Sequence, residues 1–429
     1  MESFVVKGNV NLFGNVRISG SKNAAVAVLP AVVLTRESVH LENLPDITDV
    51  RTMIEILENL GVSIRRRGRN ALDLTPGNLS KIAPSYDLVK KMRASYYFMG
   101  SLLARFGRAE VPIPGGCDLG PRPIDQHLKG FSALGADINI EHGMIKLSAE
   151  KLVGAHIYLD VVSIGATVNL MLAASAAEGR TVLENVAKEP EIVDLANFLN
   201  AMGARIRGAG TDVIRIDGVT YFHGASHTVI PDRIEAGTFM LAAAATGGSI
   251  TVEDVIPKHL EAITAKLRET GAIVKVEPEK IKVETPEPLS SSDLKTFPYP
   301  GFPTDLQPPG MVLLTAASGL SVVTENVFDG RFNQVDELKR MGARIKVEGR
   351  TALIEGGSKL SGAPVTAHDL RSGAALIIAA LMADGESRIN AVEHIDRGYE
   401  KFEEKLIKLG ASIKRESEVE QGKFYTEHD

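Results

Sequence analysis

A glycine recurs about once every seventy residues along the chain, each time after an amphipathic stretch. The copies are Gly61, Gly135, Gly203, Gly271, Gly342 and Gly410. Their spacings are 74, 68, 68, 71 and 68 residues. A glycine in this place is typical of a helix that ends in the left-handed conformation. The interval is long enough for a complete supersecondary unit, so the regularity predicts six copies of one α/β unit.

Each unit also carries a strongly apolar stretch, such as residues 170–174 and 374–378. These stretches are apolar on nearly every side, which predicts buried helices. Segments such as 343–347 alternate polar and apolar residues, as half-buried strands do. Three buried helices can form the core of one domain with the strands outside. We therefore expect an α/β fold of two inside-out α/β barrels, each built from three repeated units.

The repeat also predicts where the two domains divide. Units one to three form a domain over 22–229, and units four to six form a second domain over 1–21 plus 230–429. Residues 4–18 alternate like a pair of strands and precede the first unit, so we expect them to complete a sheet of the second domain. Residues 284–310 are rich in proline and serine, which predicts an extended loop.

The net charge and composition limit the classes of ligand and partner that we expect. The 429 residues have a formal net charge of −6, so we expect no dense basic face for nucleic acid or a membrane surface. The single cysteine is compatible with a reducing compartment. No apolar run approaches the roughly 20 residues needed to span a bilayer, and the N-terminus lacks a signal-peptide pattern. No spacing of histidines or cysteines predicts a metal. We expect a cytoplasmic monomer with small-molecule substrates and no cofactor.

Charged residues recur where the buried helices are predicted to begin. The position fourteen residues before the glycine that follows each buried helix holds Arg93, Gly165, Arg233, Asp305 and Arg371 in units two to six. Unit one opens on Lys22, and the N-terminal ends of the amphipathic helices are expected at Arg122, Arg331 and Arg397. A solvated cap explains any single case. Their recurrence predicts a cation-rich cleft at helix N-termini that binds phosphate or carboxylate.

The lone cysteine, Cys117, lies in an unusual segment, 111–123, with three glycines and four prolines. A lone cysteine is most often a buried, unreactive side chain. This composition instead predicts a loop, in which Arg122 would stabilise a thiolate. We expect the loop to act as a lid over the site.

Several short segments resemble the enolpyruvyl transferases, in particular the family that opens bacterial peptidoglycan synthesis. The segments that carry the resemblance are 20–25, 92–95, 114–117, 122–123, 165–167, 189–194, 302–305, 369–371 and 394–399. The resemblance covers essentially the whole chain. It implies transfer of the enolpyruvyl group of phosphoenolpyruvate to the 3-hydroxyl of UDP-N-acetylglucosamine, by addition and then elimination of phosphate.

The resemblance also implies roles for individual residues. Asp305 would accept the hydroxyl proton, and Asp369 would support that charge arrangement. Cys117 would assist proton transfer and product release, and either Cys117 or Lys22 would protonate the vinyl carbon. The cations implied for phosphoenolpyruvate are Lys22, Arg122 and Arg397, with Arg331 and Arg371 beside them. The residues implied for the nucleotide sugar are Asn23, Arg93, Pro123, Asp125, Ser163, Gly165 and Val327. Val161 replaces a lysine that reaches the diphosphate in many members.

Two other functions stay open at this stage. The sister enolpyruvyl transferase of aromatic biosynthesis, which makes 5-enolpyruvylshikimate 3-phosphate, has a similar fold and reaction but does not rely on a loop cysteine like Cys117. A non-catalytic relative that only binds UDP-sugars would not need Asp305, Lys22 and Cys117 together.

Overall fold

The computed structural model describes residues 2–113, 124–285 and 288–417. Its strands are β1 (Glu2–Lys7), β2 (Phe13–Arg17), β3 (Val39–Glu42), β4 (Ser63–Arg66), β5 (Leu72–Thr75), β6 (Arg108–Pro112), β7 (Asp137–Glu141), β8 (Met144–Ser148), β9 (His156–Tyr158), β10 (Arg180–Glu184), β11 (Arg205–Arg207), β12 (Val213–Asp217), β13 (Ser226–Thr228), β14 (Ser249–Glu253), β15 (Ile273–Val276), β16 (Lys280–Glu284), β17 (Leu294–Lys295), β18 (Leu320–Thr324), β19 (Arg344–Glu348), β20 (Thr351–Glu355), β21 (Pro364–Thr366), β22 (Glu386–Asn390) and β23 (Ser412–Ser417).

The helices alternate with these strands along the chain. They are α1 (Lys22–Ala31), α2 (Thr48–Leu60), α3 (Tyr86–Val89), α4 (Phe98–Phe106), α5 (Asp125–Ala133), α6 (Ile164–Ala174), α7 (Pro190–Ala201), α8 (Arg233–Ala245), α9 (Glu261–Glu269), α10 (Gln307–Ala316), α11 (Val335–Arg340), α12 (Leu370–Met382), α13 (Glu393–Asp396) and α14 (Phe402–Lys408). Short 3-10 turns cover Val32–Leu34, Arg93–Tyr97, Pro257–Leu260 and Thr304–Leu306. No helix within the described ranges is both long and apolar enough to cross a membrane.

The apolar side chains gather in two hydrophobic cores. One core draws on residues between Ala24 and Val229, and the other on Phe4 to Ile18 together with Ile234 to Ile413. We use N-terminal half for residues 22–229 and C-terminal half for residues 2–21 and 230–417. The domain boundaries 22–229 and 1–21 plus 230–429 remain a prediction, and this partition of the cores supports it.

The described residues of each half form three sheets and three largely buried helices, which are α1, α4 and α6 in the N-terminal half and α8, α10 and α12 in the C-terminal half. The sheets of the N-terminal half have the strand orders β13-β3-β5-β4, β6-β8-β7 and β11-β12-β10-β9. Those of the C-terminal half are β21-β22-β1-β23, β15-β16-β14-β2 and β17-β18-β20-β19. In β12, Ile214 and Ile216 are buried while Arg215 between them is exposed, so one face of the sheet meets solvent.

The predicted inside-out arrangement is confirmed. Every residue of α8 is buried, and so is every residue of α12 except Met382. Small residues let such helices approach closely: a Cβ on Gly100 of α4 would lie 2.3 Å from the Asn169 carbonyl oxygen of α6. The described strands form separate sheets around the buried helices rather than one closed barrel of strands.

The repeated glycines have the predicted conformation. All six copies have positive φ, between 92° at Gly135 and 107° at Gly61, and each lies one or two residues after the last residue of a helix. The left-handed backbone ends the helix and turns the chain into the next strand. The sixfold repeat is therefore structural as well as sequential.

Two predictions near the chain's irregular segments need correction. Residues 4–18 do not complete one sheet: β1 pairs with β22 and β23, whereas β2 pairs with β14 in a different sheet. The predicted loop over 284–310 ends earlier than expected, because α10 begins at Gln307. Pro308 and Pro309 occupy the first helical turn, where a missing N–H leaves no intrahelical bond unmade.

The two connections between the halves run side by side. Gly20 pairs with Pro231, and Ser21 donates a hydrogen bond from its backbone N–H to the Ile230 carbonyl at 2.7 Å. Beside this crossing, α1 and α8 both begin, so residues from opposite halves meet there.

Candidate active site

Asp305 lies just before α10, in the turn Thr304–Leu306, between two arginines of the C-terminal half. Arg331 donates from Nη1 to Oδ1 at 2.9 Å, and Arg371 donates from Nε and Nη2 to Oδ2 at 3.2 and 3.1 Å. Both arginine side chains are 3% exposed, whereas the Asp305 side chain is 26% exposed. The carboxylate therefore faces a space that solvent or a ligand can reach.

The charge of Asp305 follows from these neighbours. Burial acts to raise its pKa, but Arg371, Arg331 and Lys22 together outweigh burial and hold the pKa well below its usual range. The group is a carboxylate at neutral pH. It is also a weaker base than an isolated aspartate for as long as the three cations are not neutralised by another anion.

A second carboxylate joins cations from the two halves. Asp49, in the first turn of α2, lies 3.1 Å from Nζ of Lys22 at the start of α1. Its other oxygen accepts from Nε of Arg397 in the C-terminal half at 3.0 Å. Burial would raise the pKa of Asp49, but Lys22 and Arg397 outweigh burial and lower it. One carboxylate thus brings Lys22 and Arg397 together.

Asp232 holds the start of α1 against the start of α8. One of its oxygens accepts from the Lys22 backbone N–H at 2.9 Å, and the other accepts from Ile234 and Glu235 at 2.8 and 2.9 Å. It is therefore the N-cap of α8. This contact fixes Lys22 close enough to Asp305 to lower the pKa of that carboxyl.

Asp369 is a helix cap in this structure. Its Oδ1 accepts from the backbone N–H groups of Arg371 and Ser372 at 2.9 and 3.1 Å, and the Ser372 hydroxyl accepts from the Asp369 N–H at 3.0 Å. This is a capping box at the start of α12. Asp369 thereby positions Arg371 through the backbone, and its supporting role in the reaction stays a prediction.

The residues expected for the nucleotide sugar include a group on α5, α6 and the preceding turns. Ser163 is the N-cap of α6 and accepts from the Ala166 N–H at 3.2 Å, and Asp125 begins α5. A Cβ on Gly165 would lie 2.5 Å from Oη of Tyr96 and 3.0 Å from Cε1 of His127, so only glycine fits without rearrangement.

His127 is buried behind Gly165, and its ring is held by Asn169. The Asn169 amide lies 3.0 Å from Nδ1 of His127, and its Oδ1 accepts from the Gly100 N–H at 2.8 Å. Because the amide nitrogen must be the donor, Nδ1 is the acceptor and the ring proton lies on Nε2. Burial lowers the pKa of His127 to about 3, with a further contribution from Arg93, so the ring is neutral.

Asn23, next to Lys22, belongs to a third group that also spans the halves. Its amide donates to Glu191 at 3.5 Å, and Glu191 pairs with Arg233 at 3.2 Å. Burial, followed by the neighbouring Glu191, raises the pKa of Glu189. Burial opposes the raised pKa of Arg233, which Glu191, Glu189 and also Asp305 produce, so this group lies near Asp305.

Val327 lies in the loop after β18, near Asp305. Glu325 accepts from the Val327 N–H at 2.8 Å and from the Thr304 hydroxyl at 3.0 Å, and Arg331 donates to the Thr304 oxygen at 2.9 Å. Val161, where many members of the family have lysine, is 59% exposed. Cys117, Arg122 and Pro123 lie outside the described residues.

Sequence reasoning missed two carboxylates of this region and misplaced two arginines. Arg331 lies in the loop before α11, and Arg397 follows the short helix α13, so neither begins an amphipathic helix. Asp49 and Glu191 were not singled out, although both lie in the first turn of a helix near the predicted cleft. An acidic residue at a helix start that faces predicted cations was the available signal.

Residues 6–406 match the family model of EPSP synthase (3-phosphoshikimate 1-carboxyvinyltransferase). UDP-N-acetylglucosamine 1-carboxyvinyltransferase 3 of Caldanaerobacter subterraneus subsp. tengcongensis is 56% identical, over 97% of this chain and 99% of its own. The UDP-N-acetylglucosamine 1-carboxyvinyltransferase of Clostridium botulinum is 55% identical, over 97% of this chain and 100% of its own. This chain belongs to the UDP-N-acetylglucosamine 1-carboxyvinyltransferase family.

Solved structures agree with this family assignment at the level of the fold. The enolpyruvyl transferase NikO from Streptomyces tendae has a TM-score of 0.89 at 25% identity and covers 96% of this chain and 98% of its own. An EPSP synthase from Acinetobacter baumannii has a TM-score of 0.73 at 19% identity, over 97% of this chain and 100% of its own, and shows the shared fold alone. The names of the relatives favour the UDP-N-acetylglucosamine 1-carboxyvinyltransferase family over the sister enzyme.

Proposed function

We propose that this chain transfers the enolpyruvyl group of phosphoenolpyruvate to the 3-hydroxyl of UDP-N-acetylglucosamine and releases phosphate. The observation that carries the proposal is an ionised, partly exposed Asp305 beside Arg331, Arg371 and Lys22, with Lys22 joined through Asp49 to Arg397 of the other half. The names of relatives that are 54–56% identical support these two substrates.

The reaction has two stages, and the proposed residues fit each one. In the addition, the sugar oxygen bonds to C2 of phosphoenolpyruvate, the hydroxyl proton passes to Asp305, and C3 takes up a proton from Cys117 or Lys22. In the elimination, the bond between C2 and the phosphate oxygen breaks, and C3 loses a proton to regenerate the double bond. A base, an acid and fixed positive charge suffice for both stages.

Binding of the substrate anion would make Asp305 a better base. Arg371, Arg331 and Lys22 lower its pKa; Lys22 is proposed to contact phosphoenolpyruvate and the two arginines to lie beside it, so a bound phosphate and carboxylate would offset part of their charge. The pKa of Asp305 would then rise toward its usual range. The base would thus become effective only once the co-substrate is present, which limits wasteful proton transfer.

Lys22, Arg122 and Arg397 are proposed to bind the phosphate and carboxylate. Positive charge held in place before the reaction stabilises the charge that develops as phosphate leaves. The residues proposed for the nucleotide sugar are Asn23, Arg93, Pro123, Asp125, Ser163, Gly165 and Val327.

A phosphate-release assay with two acceptors tests the function. We expect release from phosphoenolpyruvate with UDP-N-acetylglucosamine and little with shikimate 3-phosphate. The name of the matching family model is the one observation that favours the sister activity, and equal or greater release with shikimate 3-phosphate would establish it. Binding of UDP-N-acetylglucosamine without release would indicate a non-catalytic relative.

Cys117 is proposed to assist proton transfer and product release. A thiol-directed epoxide that resembles phosphoenolpyruvate should therefore inactivate the enzyme and label Cys117, as located by peptide mass spectrometry. Inactivation with the label on another residue would refute this role, and so would full activity of the labelled protein.

The reaction is proposed to open peptidoglycan synthesis in the cytoplasm, with the chain acting as a monomer.

A further inference from the structure

Among the described residues, Asp49 is a deeply buried carboxylate that contacts two of the proposed phosphoenolpyruvate cations. Its side chain is 4% exposed, against 16% for Lys22 and 38% for Arg397. Oδ2 contacts Nζ of Lys22 at 3.1 Å, and Oδ1 accepts from Nε of Arg397 at 3.0 Å. One carboxylate therefore holds a cation from each half of the chain.

The geometry leaves both cations able to bind a further anion. Asp49 accepts from Nε of Arg397, and the two terminal nitrogens of that guanidinium have no hydrogen-bond partner among the described residues. Lys22 forms an ion pair with Asp49 at 3.1 Å, and its ammonium group has three hydrogens with which to donate. Two positive charges against one negative charge also leave a net charge of +1 for the ligand.

A purely structural role for Asp49 explains less. An acidic residue in the first turn of α2 favours the helix, because the N-terminal end of a helix carries partial positive charge. Yet among the described residues neither oxygen of Asp49 accepts from the backbone of α2, and both contact cations instead. A carboxylate serving only the helix would not need to be buried against two cations of the site.

We propose that Asp49 is a positioning residue that aligns Lys22 and Arg397 as a pair for the anionic groups of phosphoenolpyruvate. This inference rests on the proposed function. Lysine and arginine lose many rotamers when they bind a ligand, and a partner that already restrains them lowers that loss. Because Arg397 comes from the opposite half, Asp49 also favours the relative position of the halves in which both cations reach one ligand.

The test compares Asp49→Asn with Asp49→Glu and with the control Asp46→Asn. Asp46 lies in the loop before α2 and pairs with Arg51 of the same half, so the control removes a nearby carboxylate that does not contact Lys22 or Arg397. Calorimetry measures the dissociation constant of phosphoenolpyruvate, with and without UDP-N-acetylglucosamine. Kinetics measures kcat and the KM of each substrate, and thermal unfolding monitors the fold.

Asp49→Asn should weaken phosphoenolpyruvate binding about 10- to 100-fold, the usual effect of losing hydrogen bonds to charged groups. The KM of UDP-N-acetylglucosamine should change less than about threefold. Asp49→Glu keeps the carboxylate and should recover most of the affinity, whereas Asp46→Asn should behave as the wild type.

Two outcomes would overturn the inference. One is an unchanged phosphoenolpyruvate dissociation constant in Asp49→Asn. The other is an equal loss for both substrates together with a lowered unfolding temperature, which would indicate a structural role. The proposed function fails separately, if the wild type binds phosphoenolpyruvate but releases no phosphate with UDP-N-acetylglucosamine. In that case, weaker binding of phosphoenolpyruvate by Asp49→Asn than by the wild type would still support the positioning role.

Discussion

Replacing Asp305 with asparagine should reduce both activity and stability. The carboxylate neutralises Arg331 and Arg371, whose side chains are each 3% exposed. Removing one member of a buried ion pair typically costs about 3–5 kcal/mol. Asp305 is itself 26% exposed and asparagine keeps one acceptor oxygen, so a smaller loss of about 1–3 kcal/mol in the free energy of unfolding is expected. Loss of the base should lower kcat by about 100-fold or more.

Chemical denaturation and phosphate release measure these two effects. Asp329→Asn is the matched control, because Asp329 pairs with Arg350 at the surface and both side chains are about half exposed or more. Its loss should stay below about 1 kcal/mol. Inorganic phosphate should restore part of the stability of Asp305→Asn, since an added anion can neutralise the two arginines, and should affect the wild type less.

This prediction would be contradicted if Asp305→Asn were as stable as the wild type and responded to phosphate in the same way. That result would mean that Arg331 and Arg371 do not depend on this carboxylate. A variant that loses stability but keeps full kcat would instead remove Asp305 as the base and leave the ion pairs intact.

Three further predictions concern the residues around the proposed sugar site. The pKa of His127 is about 3 in the fold, below its ordinary 6.5, so wild-type stability should fall by up to about 1.4 kcal/mol per pH unit as pH drops below 6.5. His127→Gln should lack this contribution, and parallel stability curves between pH 7 and pH 5 would contradict it. Gly165→Ala should lose about 1–3 kcal/mol of unfolding free energy, because its Cβ would overlap Tyr96 and His127, and unchanged stability would show that the site can relax. Val161→Lys should lower the KM of UDP-N-acetylglucosamine several-fold at low salt only; an effect that persists at about 1 M salt would exclude simple attraction to the diphosphate.

Much of the fold could be predicted because its signals are local. A glycine after an amphipathic stretch ends a helix wherever it occurs, and an all-apolar stretch must be buried. The same holds for Arg233 and Arg371, which lie at the starts of α8 and α12 as their spacing from the next glycine indicates. These features depend on residues within a few turns of one another.

The partners of the charged residues could not be predicted in this way. The spacing predicted that Arg397 lies in the cation-rich cleft, but its contact with Asp49 joins residues 348 positions apart. Asp369 was expected to support the reaction, and the structure shows the carboxylate capping α12. Each of these outcomes depends on which helix starts the folded chain brings together.

The repeated unit, the buried helices and the kinds of charge at their ends follow from the amino-acid sequence, because periodicity and helix-ending residues act over short stretches of chain. That β1 and β2 join different sheets, and that Asp49 links Lys22 to Arg397, depends on the whole fold. Six similar units offer many similar ends to pair. The choice among them is made by packing and by the pairing of buried charges across the whole fold.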